Sequence, residues 1–214
     1  MACVIPAIVL AAGFSTRMGR SKPNLPLGSG TFLTHLVRTL LDAGTDDVVV
    51  VLGHEMEAVL RTFAKSGLPA RFVENTGYAS GQLSSLLAGL QVVDRPGVAA
   101  ALVTLVDAPL VSADTVRAVV DRYHQTHAQV VRPTRGDQHG HPLLVDRSMF
   151  ELLRRADPAT GAKPIVRAHA TPEGDVEIVD DGAFTDIDTL EEYERAVRIF
   201  DGDAHVDREE WRSR

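Results

Sequence analysis

The stretch I-P-A-I-V-L-A-A-G-F-S-T-R-M-G-R-S-K-P-N-L-P, residues 5–26, decides the fold of this chain. A short apolar strand ends at Leu10 and runs directly into a turn of small residues, Ala11, Ala12 and Gly13. Hydroxyls, a second glycine and cations follow: Ser15, Thr16, Gly19, Arg17, Arg20 and Lys22. Backbone N–H groups in a glycine turn can approach phosphate oxygens closely, and nearby cations neutralise the remaining charge. The order therefore predicts a polyphosphate site at the end of the first strand.

Two common phosphate motifs are missing from this stretch. It contains neither a Gly-Lys-Ser/Thr phosphate loop nor G-x-G-x-x-G. The ATPase and dinucleotide interpretations therefore lose their main support. A basic loop that only caps the first strand is the alternative interpretation.

Apolar strand patterns alternate with helical patterns through the first part of the chain. The predicted strands cover 4–10, 47–52, 70–74 and 99–106, and the predicted helices cover 31–43, 55–66 and 83–93. This order predicts an α/β, Rossmann-like three-layer fold with a mostly parallel sheet and helices on both faces. Because ligands bind at the carboxyl ends of such strands, residues 11–22, 75–85 and 107–110 should converge.

The pattern of predicted strands and helices changes after residue 128. Short strand candidates at 129–133, 142–145 and 176–179 are separated by loops, with helices expected at 147–155 and 190–200. We interpret residues 1–200 as a single domain, in which 1–127 form the nucleotide-binding half and 128–200 the acceptor-binding half. Residues 201–214 form a charged C-terminal tail.

The composition is that of a compact, acidic enzyme. The 214 residues are 44% hydrophobic, carry a formal net charge of −7 and include one cysteine. An acidic chain is a poor match to a nucleic-acid surface, and one cysteine excludes an internal disulfide. No apolar run approaches the roughly 20 residues that cross a bilayer. We expect a cytoplasmic protein with neither a nucleic-acid nor a membrane partner.

Asp107 directly follows the most apolar predicted strand, in Leu-Val-Asp-Ala-Pro. Magnesium bound to a triphosphate takes oxygen ligands, commonly one or two protein carboxylates with waters. We therefore predict that Asp107 is a magnesium ligand. The alternative is that it caps the next helix, but Ser112, with Asp114 in the first turn, is a better cap.

The segment Asp186-Ile187-Asp188-Thr189 carries two further carboxylates. On an extended segment, residues i and i+2 point to the same side, so one or both carboxylates could reach the same cation. The alternative is a helix N-cap at Asp188 or Thr189, supported by Glu191 and Glu192 in the first turn. Capping and metal binding can coexist here.

The loop 75–85 is rich in small residues, amides and hydroxyls. Such groups can read the edge of a nucleobase, and Gly81 permits close approach. Asn75, Gly81, Ser84 and Ser85 are therefore candidate nucleotide-binding residues. A plain loop with Ser84 or Ser85 as helix cap is almost as good an interpretation.

The first stretch resembles the signature L-A-x-G-x-S-x-R-M-G-x-x-K-x-x-L-P of nucleotidyltransferases that activate a phosphorylated acceptor. Within that superfamily the chain is most similar to the molybdenum-cofactor cytidylyltransferases and their guanylyltransferase relatives. The resemblance covers about residues 5–197. Two departures are Val106, where the family usually has glycine before the metal-binding aspartate, and Leu190, where it has proline.

The resemblance implies the reaction. An acceptor phosphate attacks the α-phosphorus of a nucleoside triphosphate, and pyrophosphate leaves. Arg17 and Lys22 would hold the triphosphate, and Mg²⁺ would be bound by Asp107 with Asp186 or Asp188. The nucleotide would contact the turn and the loop through Leu10, Ala11, Ala12, Gly13, Ser15, Thr16, Arg17, Lys22, Asn75, Gly81, Ser84 and Ser85. The catalytic residues would be Arg17, Lys22 and Asp107.

The resemblance also suggests the substrates and partners. Leu-Ala-Ala-Gly, with Ala12 before the glycine, favours CTP over GTP. The family has Gly-His-Pro in its acceptor half, which makes His141 a candidate acceptor contact. Arg132 and Lys163 are cations that could meet a second phosphate of the phosphorylated small-molecule acceptor, expected to be of molybdopterin type. A client molybdoenzyme or a second copy of the chain would be the protein partner.

Two other functions compete with this interpretation. A nucleotidyltransferase for a sugar phosphate, polyol phosphate or phospholactate would have the same nucleotide half. An oxidoreductase or a non-catalytic nucleotide-binding partner could keep the same fold. The missing G-x-G-x-x-G disfavours hydride transfer, and the retained cations and carboxylates disfavour a pure binding module.

Overall fold

A computed structural model of the chain describes residues 4–14 and 18–201. The strands are β1 (Ala7–Leu10), β2 (Pro26–Leu27), β3 (Gly30–Thr31), β4 (Val48–Leu52), β5 (Arg71–Glu74), β6 (Ala100–Leu105), β7 (Val130–Arg135), β8 (Gln138–His139), β9 (Leu143–Asp146) and β10 (Asp175–Glu177). The α-helices are α1 (Phe32–Asp42), α2 (Met56–Ala64), α3 (Gln82–Val93), α4 (Ala113–Thr126), α5 (Phe150–Arg154), α6 (Lys163–His169) and α7 (Leu190–Asp201). The predicted α/β fold with a mostly parallel sheet is confirmed.

An eight-stranded sheet runs through both halves of the chain. Its order is β10-β7-β9-β6-β1-β4-β5, and β8 pairs with β7 outside this path. Strands β6, β1, β4 and β5 are parallel neighbours, whereas β9 runs antiparallel to both β6 and β7. The parallel half places the ends of four consecutive strands along one edge, where ligands of such sheets bind.

The apolar strands are buried because helices cover both faces of the sheet. Along β1, Ala7 and Val9 face a core layer that contains apolar residues of α1, α2, α4 and α7. Ile8 and Leu10 face the other layer, which contains residues of α3 and α5. All five residues of β4 are buried, which explains its uninterrupted apolar sequence.

Most predicted elements are present, with ends that differ by a few residues. Thr31 caps α1 by accepting a hydrogen bond from Thr34 N–H, and Ser112 caps α4. The first strand begins at Ala7 rather than residue 4, and the helix expected at 147–155 is divided into a 3₁₀ turn and the short α5. The sequence analysis did not predict the β2–β3 hairpin, β8 or α6. No helix in residues 4–14 or 18–201 is long and apolar enough to cross a bilayer.

Helix α3 lies directly on the sheet at Gly89. A Cβ placed there would lie 2.4 Å from Ile8 Cγ2 and 3.2 Å from Val51 Cγ2. Since β1 and β4 are fully buried at these positions, neither side chain has free space into which it could move. The glycine therefore sets how closely α3 approaches the sheet.

We expect Gly89→Ala to destabilise the protein. Overpacking costs ~1–3 kcal/mol, and the better helix propensity of alanine offsets only about 1 kcal/mol of it. Thermal unfolding should show a melting temperature lower by a few degrees. Gln91→Ala, at an exposed position of the same helix, is the control, and equal melting temperatures for the two variants would contradict the role of Gly89.

Candidate functional site

A cavity of about 390 Å³ opens at the carboxyl ends of β1 and β6. We name it the glycine-turn cavity, because residues 10–14 form one wall. The other lining residues are Lys22, Pro23, Tyr78, Ala79, Gly81, Gln82, Ser85, Leu105, Val106, Asp107 and Asp188. Segments from the three predicted regions, 11–22, 75–85 and 107–110, therefore converge on one cavity.

Lys22 lies between two of the predicted metal ligands. Its Nζ is 3.1 Å from Asp107 Oδ2 and 2.5 Å from Asp188 Oδ1. The lysine side chain is only 11% exposed, and a 3₁₀ turn over Lys22–Asn24 holds its backbone. One largely buried ammonium therefore bridges two carboxylates that would otherwise repel each other across the cavity, and this group keeps one net negative charge.

The segment that carries Asp188 is fixed to the end of β6 by its backbone. Ile187 N–H donates a 2.7 Å hydrogen bond to the carbonyl oxygen of Asp107, and the Ile187 side chain is fully buried. The second carboxylate oxygen of Asp107, Oδ1, is inaccessible to solvent and has no hydrogen-bond partner among the described residues. A cation or a donor from a ligand would satisfy this oxygen.

Asp186 and Asp188 line different cavities. Asp188 lines the glycine-turn cavity, whereas Asp186 lines a second one. The expectation that both point to the same side therefore differs from the structure, because residues 185–189 do not form a regular strand. Desolvation raises the pKa of the Asp186 carboxyl, and the negative charge of Asp107 raises it further.

Capping of α7 does not compete with the contact made by Asp188. The side chain of Glu192 accepts 2.8 Å hydrogen bonds from the N–H groups of Asp188 and Thr189. Thr189 Oγ1 accepts a 3.3 Å bond from Glu192 N–H in return. Thr189 and Glu192 thus form a capping box, and the carboxylate of Asp188 remains directed at Lys22.

The carboxylates form a pair rather than a complete metal cage. Within residues 4–14 and 18–201, no cluster of three or more His, Cys, Asp or Glu side chains has the arrangement of a metal site. Asp107 and Asp188 both accept a hydrogen bond from the same cation, the Lys22 ammonium. Two carboxylates fit a hard divalent cation that takes its other ligands from phosphate oxygens and water. The predicted metal role of Asp107, Asp186 and Asp188 remains a prediction.

Several polar side chains of the 75–85 loop form hydrogen bonds with one another. Asn75 is buried and donates from Nδ2 to Ser84 Oγ at 2.8 Å and to Ser85 Oγ at 3.0 Å. Gly81, at φ +102°, is the N-cap of α3, which has no side-chain cap. The alternative that Ser84 or Ser85 caps this helix is therefore wrong. Gly81 and Ser85 line the glycine-turn cavity, whereas Asn75 and Ser84 hold the loop behind it.

The second cavity has a volume of about 730 Å³ and adjoins the first. The two share Leu10, Gly81, Gln82 and Leu105. Its apolar wall includes Leu83, Leu86, Val103, Leu143, Val145 and Leu153. Its charged lining is Arg132, Lys163, Arg167 and Asp186, so basic side chains predominate in a chain that is acidic overall.

The predicted acceptor residues all line the second cavity, in different electrostatic settings. Arg132 is already paired with Asp175, with Nε 2.8 Å from Oδ1. Lys163 and Arg167 lie one turn apart on α6, and no carboxylate of the described residues forms an ion pair with either. The sequence analysis missed Arg167, although its i, i+4 spacing from Lys163 places both on one helical face.

His141 lines the second cavity. The backbone N–H of His141 donates a 2.8 Å hydrogen bond to the carbonyl oxygen of Ala183. The ring nitrogen Nδ1 is inaccessible to solvent and has no hydrogen-bond partner among the described residues. Desolvation lowers the pKa of the imidazole, opposed by the charges of Asp186 and Asp107. A neutral ring therefore lies close to two of the predicted metal ligands.

Three predicted nucleotide residues, Ser15, Thr16 and Arg17, lie outside the described residues. Two rings at the glycine-turn cavity, Phe14 and Tyr78, were missed. Both lie in segments that the sequence analysis predicted to bind the nucleotide. Their aromatic side chains were missed because an aromatic ring beside a polar motif does not by itself indicate a polar ligand.

Comparison with known proteins places this geometry in a family. The model of the MobA-like NTP transferase domain matches residues 7–173. A probable molybdenum cofactor guanylyltransferase of Mycobacterium tuberculosis is 32% identical over 162 residues, covering 74% of each chain. Nicotine blue oxidoreductase of Paenarthrobacter nicotinovorans is 32% identical over 211 residues, covering 90% of this chain and 96% of the relative.

Solved structures agree with this assignment. A protein of Mycobacterium tuberculosis H37Rv is 29% identical with a TM-score of 0.77, covering 92% of this chain and 100% of that one. A complex with manganese from the same organism has a TM-score of 0.73 at 28% identity, with the same coverage. A nucleotidyl transferase from Methanothermobacter thermautotroptrophicus, 25% identical, has a TM-score of 0.77 over 95% of this chain and all of that one. The chain belongs to the MobA-like NTP transferase family and is a nucleotidyltransferase by family.

Proposed function

We propose that the protein transfers a nucleoside monophosphate from a nucleoside triphosphate, CTP in preference to GTP, to a phosphorylated acceptor of molybdopterin type. Pyrophosphate is the second product and Mg²⁺ the cofactor. The observation that carries this proposal is the Lys22 ammonium held between Asp107 and Asp188 beside the glycine turn. A cation, two carboxylates and a glycine turn on one cavity are the groups that a metal–triphosphate complex requires.

The chemistry asks the protein for positioning and charge neutralisation. N–H groups near Gly13 and the ammonium of Lys22 bind the triphosphate, and we assign Arg17 to the same task. Asp107 and Asp188 would hold Mg²⁺, which supplies positive charge at the phosphates when bound. No general base is needed, because a phosphate monoester has a second pKa of about 6 and is largely dianionic at neutral pH.

The second cavity is the acceptor site in this proposal. Because it shares four lining residues with the glycine-turn cavity, ligands in the two can meet. Lys163 and Arg167 offer cations for an anionic group of the acceptor, and the leucine-rich wall suits a large apolar body. Such a wall favours a ring-bearing acceptor over a sugar or polyol phosphate, which would need many hydrogen-bonding partners.

A second candidate function has its own support. One relative that matches along nearly its whole length, from Paenarthrobacter nicotinovorans, is named nicotine blue oxidoreductase. An oxidoreductase of this fold would place a redox-active ring against the apolar wall of the second cavity. The turn after β1 lacks G-x-G-x-x-G, which is a physical argument against dinucleotide binding in the first cavity. Nucleotide titration separates the two functions.

Calorimetric titration with CTP, GTP, ATP and UTP in the presence of Mg²⁺ tests the nucleotide assignment. We expect the tightest binding for CTP, because Ala12 rather than glycine precedes Gly13. A clear preference for GTP would contradict the CTP assignment. Failure of all four nucleotides to bind would contradict the proposed function itself.

Lys22→Ala should weaken triphosphate binding. Loss of a charge-assisted contact costs about 2 kcal/mol, which corresponds to roughly 30-fold in Kd. Lys65→Ala, at an exposed position of the α2 C-terminus, is the matched control. Calorimetry should show the loss of affinity only for Lys22→Ala. Full triphosphate affinity in that variant would contradict a role for Lys22 in nucleotide binding.

Asp107→Asn should leave nucleotide binding detectable but lower pyrophosphate release with molybdopterin as acceptor. The variant loses one ligand and one negative charge where the metal must polarise the α-phosphate. We expect a loss of about 100-fold or more, as for removal of a major electrostatic group in other enzymes. Asp114→Asn, at an exposed position of α4, is the control. Unchanged release in Asp107→Asn would exclude Asp107 as a ligand.

A further inference from the structure

Three aromatic rings from three different loops meet at the mouth of the glycine-turn cavity. They are Phe14 after β1, His54 after β4 and Tyr78 after β5. The Phe14 ring centroid is 4.9 Å from that of Tyr78 and 5.2 Å from that of His54. Phe14 and Tyr78 line the cavity, and Phe14 is 47% exposed. Leaving a phenylalanine ring this exposed gives up burial that it would otherwise gain.

The position of Tyr78 depends on a glycine in the neighbouring loop. A Cβ placed at Gly53 would lie 2.7 Å from Tyr78 Cγ and 2.8 Å from Tyr78 Cβ. The next residue, His54, donates its N–H to the carbonyl oxygen of Ala12 at 3.2 Å, which joins this loop to the glycine turn. Glu55 has φ +54°, a left-handed conformation that is costly for a residue with a side chain. Backbone contacts therefore fix the loop that carries Gly53 and His54 against the glycine turn and against Tyr78.

The order of the strands separates the rings from the charged groups. Asp107 follows β6, the glycine turn follows β1, Gly53 follows β4 and Tyr78 lies beyond β5. Since these strands are neighbours in the order β6-β1-β4-β5, Asp107 lies towards one end of this row of strands and the aromatic rings lie towards the other. A ligand that uses both ends carries a polyphosphate at one end and a flat ring at the other.

We propose that Phe14 and Tyr78 form a stacking platform for the nucleobase of the bound triphosphate, and that Gly53 is a positioning residue for Tyr78. This inference rests on the proposed function and deepens it. Stacking uses the face of a base, which every nucleobase has, and does not read its edge. The platform therefore contributes affinity to CTP and GTP alike, and leaves the choice between them to Ala12 and to polar groups such as Gln82 and Ser85 that line the same cavity.

The experiment compares a nucleotide with a ligand that has no base. Kd values are measured by calorimetry for CTP, GTP and inorganic tripolyphosphate, each with Mg²⁺, on wild type, Phe14→Ala and Tyr78→Ala. We expect each substitution to weaken CTP and GTP by about 10-fold or more and to leave tripolyphosphate within about 2-fold, because stacking energy does not involve the phosphates. Phe200→Ala is the matched control, since Phe200 is 40% exposed and packs edge-on against His35 elsewhere on the surface.

Two conservative variants separate stacking from folding. Tyr78→Phe keeps the ring and should retain nucleotide affinity, whereas Tyr78→Leu keeps apolar bulk without a π face and should lose it. Gly53→Ala should lower CTP affinity while every residue that lines the cavity is unchanged, because its Cβ displaces Tyr78. If Tyr78→Ala does not fold, the comparison between Tyr78→Phe and Tyr78→Leu decides the question.

The outcomes distinguish this inference from the proposed function. Wild type that binds no nucleotide contradicts the proposed function. Wild type that binds CTP, with Phe14→Ala and Tyr78→Ala as tight as Phe200→Ala, overturns the platform alone. An equal loss for CTP and tripolyphosphate also overturns it, because the rings would then only support the glycine turn.

Discussion

Lys22 places one positive charge between carboxylates from two distant parts of the chain, and the geometry of the candidate site depends on this contact. It joins the segment after β1 to Asp107, 85 residues later, and to Asp188, 166 residues later. The backbone bond from Ile187 N–H to the Asp107 carbonyl reinforces the second connection. Three segments that share no local sequence pattern therefore meet at the carboxyl ends of the buried strands β1 and β6.

The parallel half of the fold follows from the sequence because its elements are strongly patterned. β4 is apolar at every position, and α1 has an apolar face between a threonine cap and Gly44. The second half was less predictable because its elements are short. β8 has two residues and α6 has seven with no side-chain cap, so both depend on tertiary contacts rather than on local preference. Periodicity carries little information over such lengths.

The candidate site was predictable where a residue directly follows a strand, as Asp107 does. Asp186 and Asp188 could not be told apart, since alternation assumes a regular strand that residues 185–189 do not form. Arg132 has no carboxylate within four residues on either side in the sequence, but folding brings Asp175 next to it from 43 residues away. The Asn75 side-chain amide likewise already donates hydrogen bonds to Ser84 and Ser85 in its own loop. Partners that only the folded chain brings together decide which polar groups remain available to a ligand.

Residues 186–188 form a short wall between two chambers. Asp188 belongs to the glycine-turn cavity, Asp186 to the larger one, and the buried Ile187 between them is tied to the end of β6. A ligand that moves either carboxylate must strain the same three residues. If ligands in the two cavities displace these carboxylates, binding in one cavity is thermodynamically linked to affinity in the other, equally in both directions. The two cavities thus share one structural element, residues 186–188.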